Sequence, residues 1–301
     1  MQTSQWILAL FVLLNTQICF GKQGPSANSS TATATVASAP LKVLLVAGGC
    51  CHDYAKQTQI LKQGIETRIH SEVTIIFNPS KGTDATFEIY ESDQWAEGYD
   101  VVIHDECSAN VTDGPYVKRI LAAHKSGVPA VNLHCAMHSY RWGNFRKAVN
   151  LGAENAGWYE MIGLQSTGHG PKLPIDITYE KSTNPIVKGL APWRTINEEL
   201  YNNVRVYPGA EVLAAGSQVQ KINPKALKAN PNAKPKVSKA VVAWTNLYGP
   251  KKTKIFSTSL GHFNDTVGDD RYLELVVRGI LWTTGNLTEA GKPTKAYAIQ
   301  P

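Results

Sequence analysis

Short apolar runs, each followed by polar residues, constrain the fold of this chain more than any other feature. The first run, at 42–47, ends in two glycines and is typical of a strand buried on both faces of a parallel sheet. Similar runs predict strands at 73–77, 99–104 and 129–134, and helical periodicity predicts helices at 54–69 and 115–126. This alternation predicts an α/β fold with right-handed crossovers, in which a mainly parallel sheet carries helices on both faces.

The C-terminal half predicts extra strands with few helices between them. The runs lie at 175–179, 201–206, 211–215, 240–244 and 254–258, and a closing helix is predicted at 272–282. A stretch rich in Lys, Pro and Asn at 221–239 separates two of these strands and is predicted to form an enlarged hairpin loop. Its six lysines account for the net charge of +6. Because no arginines or aromatic residues alternate with them, we expect a solvated loop and no nucleic-acid partner.

The N-terminus has the pattern of an export signal. The apolar run at 6–14 has signal-peptide length and is too short to span a membrane, and residues 19–21 offer a cleavage site. We therefore predict a periplasmic or secreted protein with no membrane span in its mature form. The predicted parts are a signal peptide at 1–21, a flexible linker at 22–40, a folded domain at 41–290 and a C-terminal tail at 291–301.

Four cysteines lie outside the predicted signal peptide. They are Cys50, Cys51, Cys107 and Cys135. Export favours disulfide formation, but their spacing is not that of a disulfide scaffold. The adjacent Cys50 and Cys51 are not expected to bridge each other.

Histidines, cysteines and carboxylates cluster where the predicted strands end. The clusters lie at 50–54, 104–107, 134–138 and 259–265. Ligands of open α/β sheets bind outside the carboxyl ends of the strands, so the sequence predicts one crevice holding several of these groups. Within it, His104 is either one of the crevice groups or a strand-end histidine held by Asp105, whereas His124 is expected at the surface. The glycines after the first strand do not match a dinucleotide fingerprint, and no phosphate-binding loop is present, so no nucleotide cofactor is expected.

An ordered set of motifs carries a family resemblance. The motifs include Gly-Gly-Cys-Cys-His-Asp-Tyr at 48–54, Asn-Leu-His-Cys-Ala-Met-His-Ser at 132–139, Glu-Glu-Leu-Tyr at 198–201 and Ser-Leu-Gly-His at 259–262. From about residue 41 to about 287 the chain resembles the trehalose-utilisation (ThuA-like) family. The resemblance implies a flavodoxin-like fold similar to class I glutamine amidotransferases, with a nucleophile-elbow turn. It also implies that the partner is a small-molecule carbohydrate, trehalose or a related sugar.

The predicted elbow carries a histidine where the amidotransferase pattern has its cysteine. Counting from Asn132, the nucleophile position falls on His134, and Cys135 comes one residue later. One interpretation is that the elbow presents an imidazole. The other is a one-residue shift that makes Cys135 the nucleophile, with His262 as its base and Glu199 as the third member.

Four histidines are candidate metal ligands. His52, His134, His138 and His262 all follow predicted strand ends, and imidazole suits a divalent transition metal such as Zn²⁺. His134 and His138 are four residues apart and share a face if a helix begins at the elbow. The alternative is a hydrogen-bonded polar pocket without a metal.

Five further residues are candidates for substrate binding. Tyr54 and Trp142 carry rings that can stack on a sugar, Arg141 can pair with a carboxylate, and Asp53 and His169 complete the set. Three functions follow from these patterns together with the family resemblance. The chain is an enzyme acting on trehalose-like sugars or oxidised glycosides by acid/base chemistry, with or without a metal; or a non-catalytic carbohydrate-binding protein; or a Cys-dependent amidotransferase relative.

Overall fold

A computed structural model describes residues 39–180, 183–222 and 224–299, with the side chain of Ala226 left aside. The predicted signal peptide at 1–21 and most of the predicted linker lie outside these residues. The strands are β1 Leu41–Gly49, β2 Ser71–Asn78, β3 Val101–Cys107, β4 Ala130–Leu133, β5 Leu164–Gln165, β6 His169–Tyr179, β7 Trp193–Tyr201, β8 Arg205–Val206, β9 Ala210–Val219, β10 Val237–Tyr248 and β11 Thr253–Thr258. The α-helices are α1 Tyr54–Glu66, α2 Gly114–Lys125, α3 Gly157–Ile162, α4 Pro224–Ala229, α5 Asn264–Val267 and α6 Asp270–Thr283.

A nine-stranded sheet organises the fold, in the order β2-β1-β3-β4-β11-β10-β9-β6-β7. The strands from β2 to β11 run parallel, and the four from β10 to β7 continue the sheet with antiparallel pairing. β5 and β8 form a separate two-stranded ribbon. The prediction of an α/β fold with a parallel sheet and extra C-terminal strands is confirmed.

Two hydrophobic cores lie on opposite faces of this sheet. Successive side chains of a strand point to opposite faces, and β1 accordingly places Val43 and Leu45 in the core under α1 and α6 and Leu44 in the core under α2 and α3. Helix α6 packs very closely on β11, since a Cβ atom added at Gly279 would overlap the ring of Phe256. Helices therefore cover both faces, as the apolar runs predict.

The predicted boundaries differ from the structure mainly around β7. The strand expected at 201–206 instead occupies Trp193–Tyr201, because this edge strand of the sheet carries a polar sequence that hides its apolar alternation. At the elbow, a 3-10 turn at His134–His138 replaces the expected α-helix.

The Lys-rich stretch does form an enlarged hairpin loop. β9 and β10 pair antiparallel, with Val219 opposite Val237, and the intervening segment contains α4 and exposed lysines. The predicted tail at 291–301 is described as far as residue 299, and this part contacts the folded domain. The backbone N–H of His70 donates to the carbonyl of Tyr297. Within the described ranges, no helix combines the length and apolar character that a bilayer crossing requires.

Candidate functional site: an imidazole cluster beside Glu199

Three imidazoles converge where the parallel strands end. His52 follows β1, His134 follows β4 and His262 follows β11, and one ligand atom of each lies within 4.8 Å of the others. The ring of His52 lies 4.8 Å from that of His134 and 4.6 Å from that of His262, centroid to centroid. The crevice expected at this edge of the sheet therefore contains three of the four predicted metal-ligand histidines.

His134 occupies the tight turn of the elbow. Its φ of 36° lies in the left-handed region that non-glycine residues seldom adopt. Its Nδ1 donates to the carbonyl of Ser259 at 2.7 Å, which leaves the lone pair of the neutral ring on Nε2, and Nε2 faces the Tyr201 hydroxyl at 3.2 Å. The elbow thus keeps its strained backbone and presents an imidazole.

Glu199 of β7 is the shared anion of the site. One carboxylate oxygen lies 3.4 Å from His134 Nε2, and the other lies 3.4 Å from His169, Lys172 and His262. Burial by itself raises the pKa of Glu199, but the imidazoles of His134, His262 and His169 outweigh burial when they are protonated, His134 also by a hydrogen bond, and they lower the pKa to about 2. The carboxylate is therefore ionised at neutral pH.

His262 is held through its backbone rather than its ring. Its N–H donates to the buried carboxylate of Glu198 at 3.0 Å, and its Nε2 lies 2.6 Å from Lys172 Nζ. The buried Nδ1 makes no hydrogen bond to any described residue. Burial is the main cause that lowers the pKa of His262 to about 3, with Glu199 opposing the shift and His134, His52 and Lys172 adding to it. The ring is therefore neutral at physiological pH.

His138 does not join the cluster. A 3-10 turn has three residues per turn, so residues 134 and 138 do not share a face as they would in an α-helix. His138 Nε2 instead bonds the Ser166 hydroxyl at 2.9 Å, and its ring stacks on Tyr201 at 4.2 Å. The expectation that His138 lies with His134 as a metal ligand is wrong for this reason.

The cysteines form a chain of contacts beside the histidines. Cys50 and Cys51 are disulfide-bonded to each other, contrary to expectation. Gly49 and Cys51 both have a positive φ, and the sharp turn of the backbone lets the side chains of Cys50 and Cys51 meet. Gly49 is also needed because a Cβ atom there would overlap the carbonyl of Cys107.

Cys135 is poorly placed to attack a substrate in the cleft beside the cluster. It is buried, and its sulfur donates to Cys107 Sγ at 3.0 Å and lies 3.1 Å from His52 Nε2. The hydrogen bond to Cys107 and then burial raise the pKa of the Cys135 thiol well above its ordinary value. The same hydrogen bond lowers the pKa of Cys107, against the effect of burial. Thiolate character therefore falls on Cys107, which contacts Cys50 Sγ at 3.4 Å.

A cleft of about 420 Å³ opens beside the cluster and is lined by Cys51, His52, Asp53, Lys81, His262, Phe263 and Asn264. Of the predicted substrate-binding residues, Asp53 lines this cleft, and His169, with a side chain 39% exposed, lies beside Glu199. Tyr54 is only 2% exposed, so its ring has no free face for a sugar. Arg141 lies over the ring of Phe145 at 4.7 Å, and Trp142 packs against the core under α2 and α3.

His104 and His124 form a separate buried network. His104 Nε2 lies 2.9 Å from His124 Nε2, and its Nδ1 lies 2.9 Å from Glu106 Oε1. All three residues are fully buried, so the expectations of a surface His124 and of an Asp105 partner for His104 are wrong. Successive side chains of a strand point to opposite faces, so His104 and Glu106 lie on one face of β3 and Asp105 on the other. All three are buried because β3 is buried on both faces.

Lys172, Glu198 and Tyr201 belong to the site but are absent from the sequence-based set. β6 and β7 pair antiparallel, with Lys172 opposite Glu199 and His169 opposite Tyr201. The register of β6 against β7 is the feature that would have identified these residues. It could be used only if β7 had been placed correctly in the sequence.

Comparison with known proteins agrees with the motifs and the fold. The model of the ThuA family, described as trehalose utilisation, matches residues 42–283. A ThuA-like protein from Parabacteroides merdae superposes with a TM-score of 0.53 at 18% identity, over 87% of this chain and 98% of that one. A ThuA-like protein from Bacteroides uniformis gives a TM-score of 0.53 at 15% identity, over 83% of this chain and 95% of that one. These two share the fold, and no curated protein matches the sequence. Because the family match spans the whole sheet from β1 to α6, the chain belongs to the ThuA, or trehalose-utilisation, family.

Proposed function

We propose that this chain is an enzyme that acts on sugars or sugar derivatives, such as trehalose-like disaccharides or oxidised glycosides. In this proposal His52, His134 and His262 hold a divalent transition metal such as Zn²⁺ next to Glu199. The observation that carries it is the convergence of the three ligand atoms within 4.8 Å. Membership of a family described as trehalose utilisation supports the sugar substrate.

The donor set fits a catalytic metal site. Three protein ligands and an open position are typical of catalytic zinc, and metal-bound histidines usually donate their other N–H to a carbonyl or carboxylate. Here the Nδ1 atoms of His52 and His134 each donate to a backbone carbonyl, at 3.2 and 2.7 Å. The Nδ1 of His262 is buried without a hydrogen bond. Lys172 Nζ lies 2.6 Å from His262 Nε2, and its positive charge opposes the binding of a metal cation there.

The protein's own residues supply acid/base chemistry. Glu199 is ionised at physiological pH, so it can accept a proton from a sugar hydroxyl or carbon acid, and the neutral His262 can do so when it holds no metal. Lys172 and the partly exposed His169 each lie 3.4 Å from Glu199 and can return a proton. When bound, a divalent metal supplies Lewis acidity toward an oxygen of the sugar.

This constellation suits isomerisation, elimination or hydrolysis of an oxidised glycoside. The buried Cys135, with its raised pKa, supports an imidazole-based over a Cys-based reaction. We also propose, from the predicted signal peptide at 1–21, that the chain works in the periplasm or outside the cell.

The test combines metal content with turnover, using protein purified without a His tag or chelator. Mass spectrometry is expected to find about one equivalent of transition metal in the parent. His134→Ala and His262→Ala should lose both metal and turnover of disaccharides and oxidised glycosides. The matched control His70→Ala, outside the site at the start of β2, should keep both.

Other outcomes separate the alternatives. Sugar binding without turnover of any tested substrate would support the non-catalytic binding protein. Turnover that survives both site variants would refute the proposal, and turnover lost only in Cys135→Ser would identify the amidotransferase-like reaction.

A further inference from the structure

Four sulfur atoms form a continuous path from the cleft into the protein interior. Cys51, which is exposed, is bonded to Cys50. Cys50 Sγ lies 3.4 Å from Cys107 Sγ, which lies 3.0 Å from Cys135 Sγ. The four residues come from the ends of β1 and β3 and from the elbow, so only the folded sheet brings them together.

We propose that these cysteines form a thiol–disulfide relay, in which one disulfide moves from Cys50–Cys51 at the cleft to Cys107–Cys135 inside. In the first step the Cys107 sulfur attacks Cys50 Sγ, the bond from Cys50 to Cys51 breaks, and Cys51 leaves with the electron pair and takes up the proton that Cys107 lost. In the second step Cys135 attacks Cys107 Sγ in the same way and Cys50 leaves as a thiol. One disulfide is present throughout, so neither an oxidant nor a reductant is consumed.

The surroundings favour this direction of attack. Exchange requires an attacking thiolate in contact with a disulfide sulfur, and it is faster when the leaving thiolate is stabilised. Cys107 contacts the buried sulfur of the pair, and the leaving Cys51 faces solvent in the cleft. The hydrogen bond from Cys135 also lowers the pKa of Cys107.

The relay ends at the imidazole cluster. Cys135 Sγ lies 3.1 Å from His52 Nε2, so a disulfide at Cys135 changes the sulfur that this nitrogen contacts. Transfer of the disulfide therefore changes the exposed Cys51 and the sulfur beside His52 together. The relay does not require that the cluster bind a metal or turn over a sugar, and its test uses neither.

A trapping experiment on the folded full chain tests the relay. The protein is incubated with iodoacetamide, which alkylates Cys51 whenever it leaves as a thiolate, and is then digested with pepsin in acid so that disulfides do not rearrange. Peptide mass spectrometry is expected to show Cys51 alkylation rising with time, in molecules whose disulfide contains Cys107. In Cys107→Ala the alkylation of Cys51 should be lost. In Cys135→Ala it should persist, with the disulfide stopping at Cys50–Cys107.

Two results would overturn the relay. One is a Cys51 that stays unalkylated in the folded parent, and the other is equal alkylation rates in the parent and in Cys107→Ala. Both would mean that the buried cysteines merely pack as small apolar side chains.

An exposed variant guards against misfolding of the buried ones. Cys51→Ser replaces only the exposed sulfur and leaves Cys50 as a free thiol. Treatment with oxidised glutathione, a small disulfide, should then join Cys107 to Cys50 or to Cys135 and release two glutathione thiols. Failure to form either bond in this folded variant also refutes the relay.

Discussion

Replacing Glu199 by glutamine tests the electrostatics of the site directly. The folded protein keeps this carboxylate ionised down to about pH 2, whereas an ordinary glutamate has a pKa of 4.5. Between these values the unfolded chain binds the proton more readily than the folded chain does. The stability contributed by Glu199 is therefore fully present above about pH 4.5 and is lost as the pH falls toward 2.

The magnitude follows from the difference between the two pKa values. One pKa unit corresponds to about 1.4 kcal/mol, so the ionised carboxylate stabilises the folded state by about 3 kcal/mol at neutral pH. Two of its partners are partly solvated, since the side chains of His169 and Lys172 are 39% and 45% exposed, and a third, His262, is uncharged at neutral pH. Allowing for this screening, we expect about 2 kcal/mol. More than half of this contribution should be gone at about pH 3.

The assay is urea unfolding of the chelator-treated parent and Glu199→Gln proteins at neutral pH and at about pH 3. The difference between their unfolding free energies should fall by about 1 kcal/mol or more in acid, because only the parent has a carboxylate to protonate. The exposed control Glu97→Gln should change the unfolding free energy by less than about 0.5 kcal/mol at both values. A difference between parent and Glu199→Gln that does not depend on pH would refute the charge arrangement described for Glu199.

Two further substitutions test the packing and the cation balance. Gly279→Ala should lower the unfolding free energy by about 1–3 kcal/mol, because the new methyl group overlaps a ring of β11, whereas Gly114→Ala, with open space around it, should be nearly neutral in urea unfolding. Lys172→Met should tighten Zn²⁺ binding by up to about tenfold in competition titrations, because it removes a cation 2.6 Å from His262 Nε2. Lys81→Met, which removes a cation from the wall of the cleft, should have a smaller effect, and equal effects of the two lysines would contradict this account.

The parallel half of the fold was predictable from sequence because four of its five strands, all but β2, are buried on both faces. Such strands are nearly continuous apolar runs, and β1 shows one exposed residue in nine. β7 was misplaced for the opposite reason. It lies at the edge of the sheet, and its polar residues include Glu198 and Glu199, which are buried for the contacts they make in the site.

The same difference explains which site residues sequence reasoning could find. His52, His134 and His262 follow parallel strands, and the direction of those strands alone places them together. Lys172 reaches the site through the antiparallel register of β6 and β7, which no local pattern specifies. The Cys50–Cys51 disulfide depends on the positive φ values of Gly49 and Cys51, which adjacency in the sequence does not reveal.

The elbow is the strongest link between the fold and the proposed chemistry. A residue held in the left-handed region costs of order 1–3 kcal/mol and persists only where its surroundings fix it. At His134 the surroundings act on the side chain, since Nδ1 is bound by the Ser259 carbonyl and Nε2 lies between Tyr201 and Glu199. These contacts hold the ring in one orientation and one tautomer. The strained turn therefore holds an imidazole nitrogen with a free lone pair toward the cluster, which is what a metal ligand or general base at this position requires.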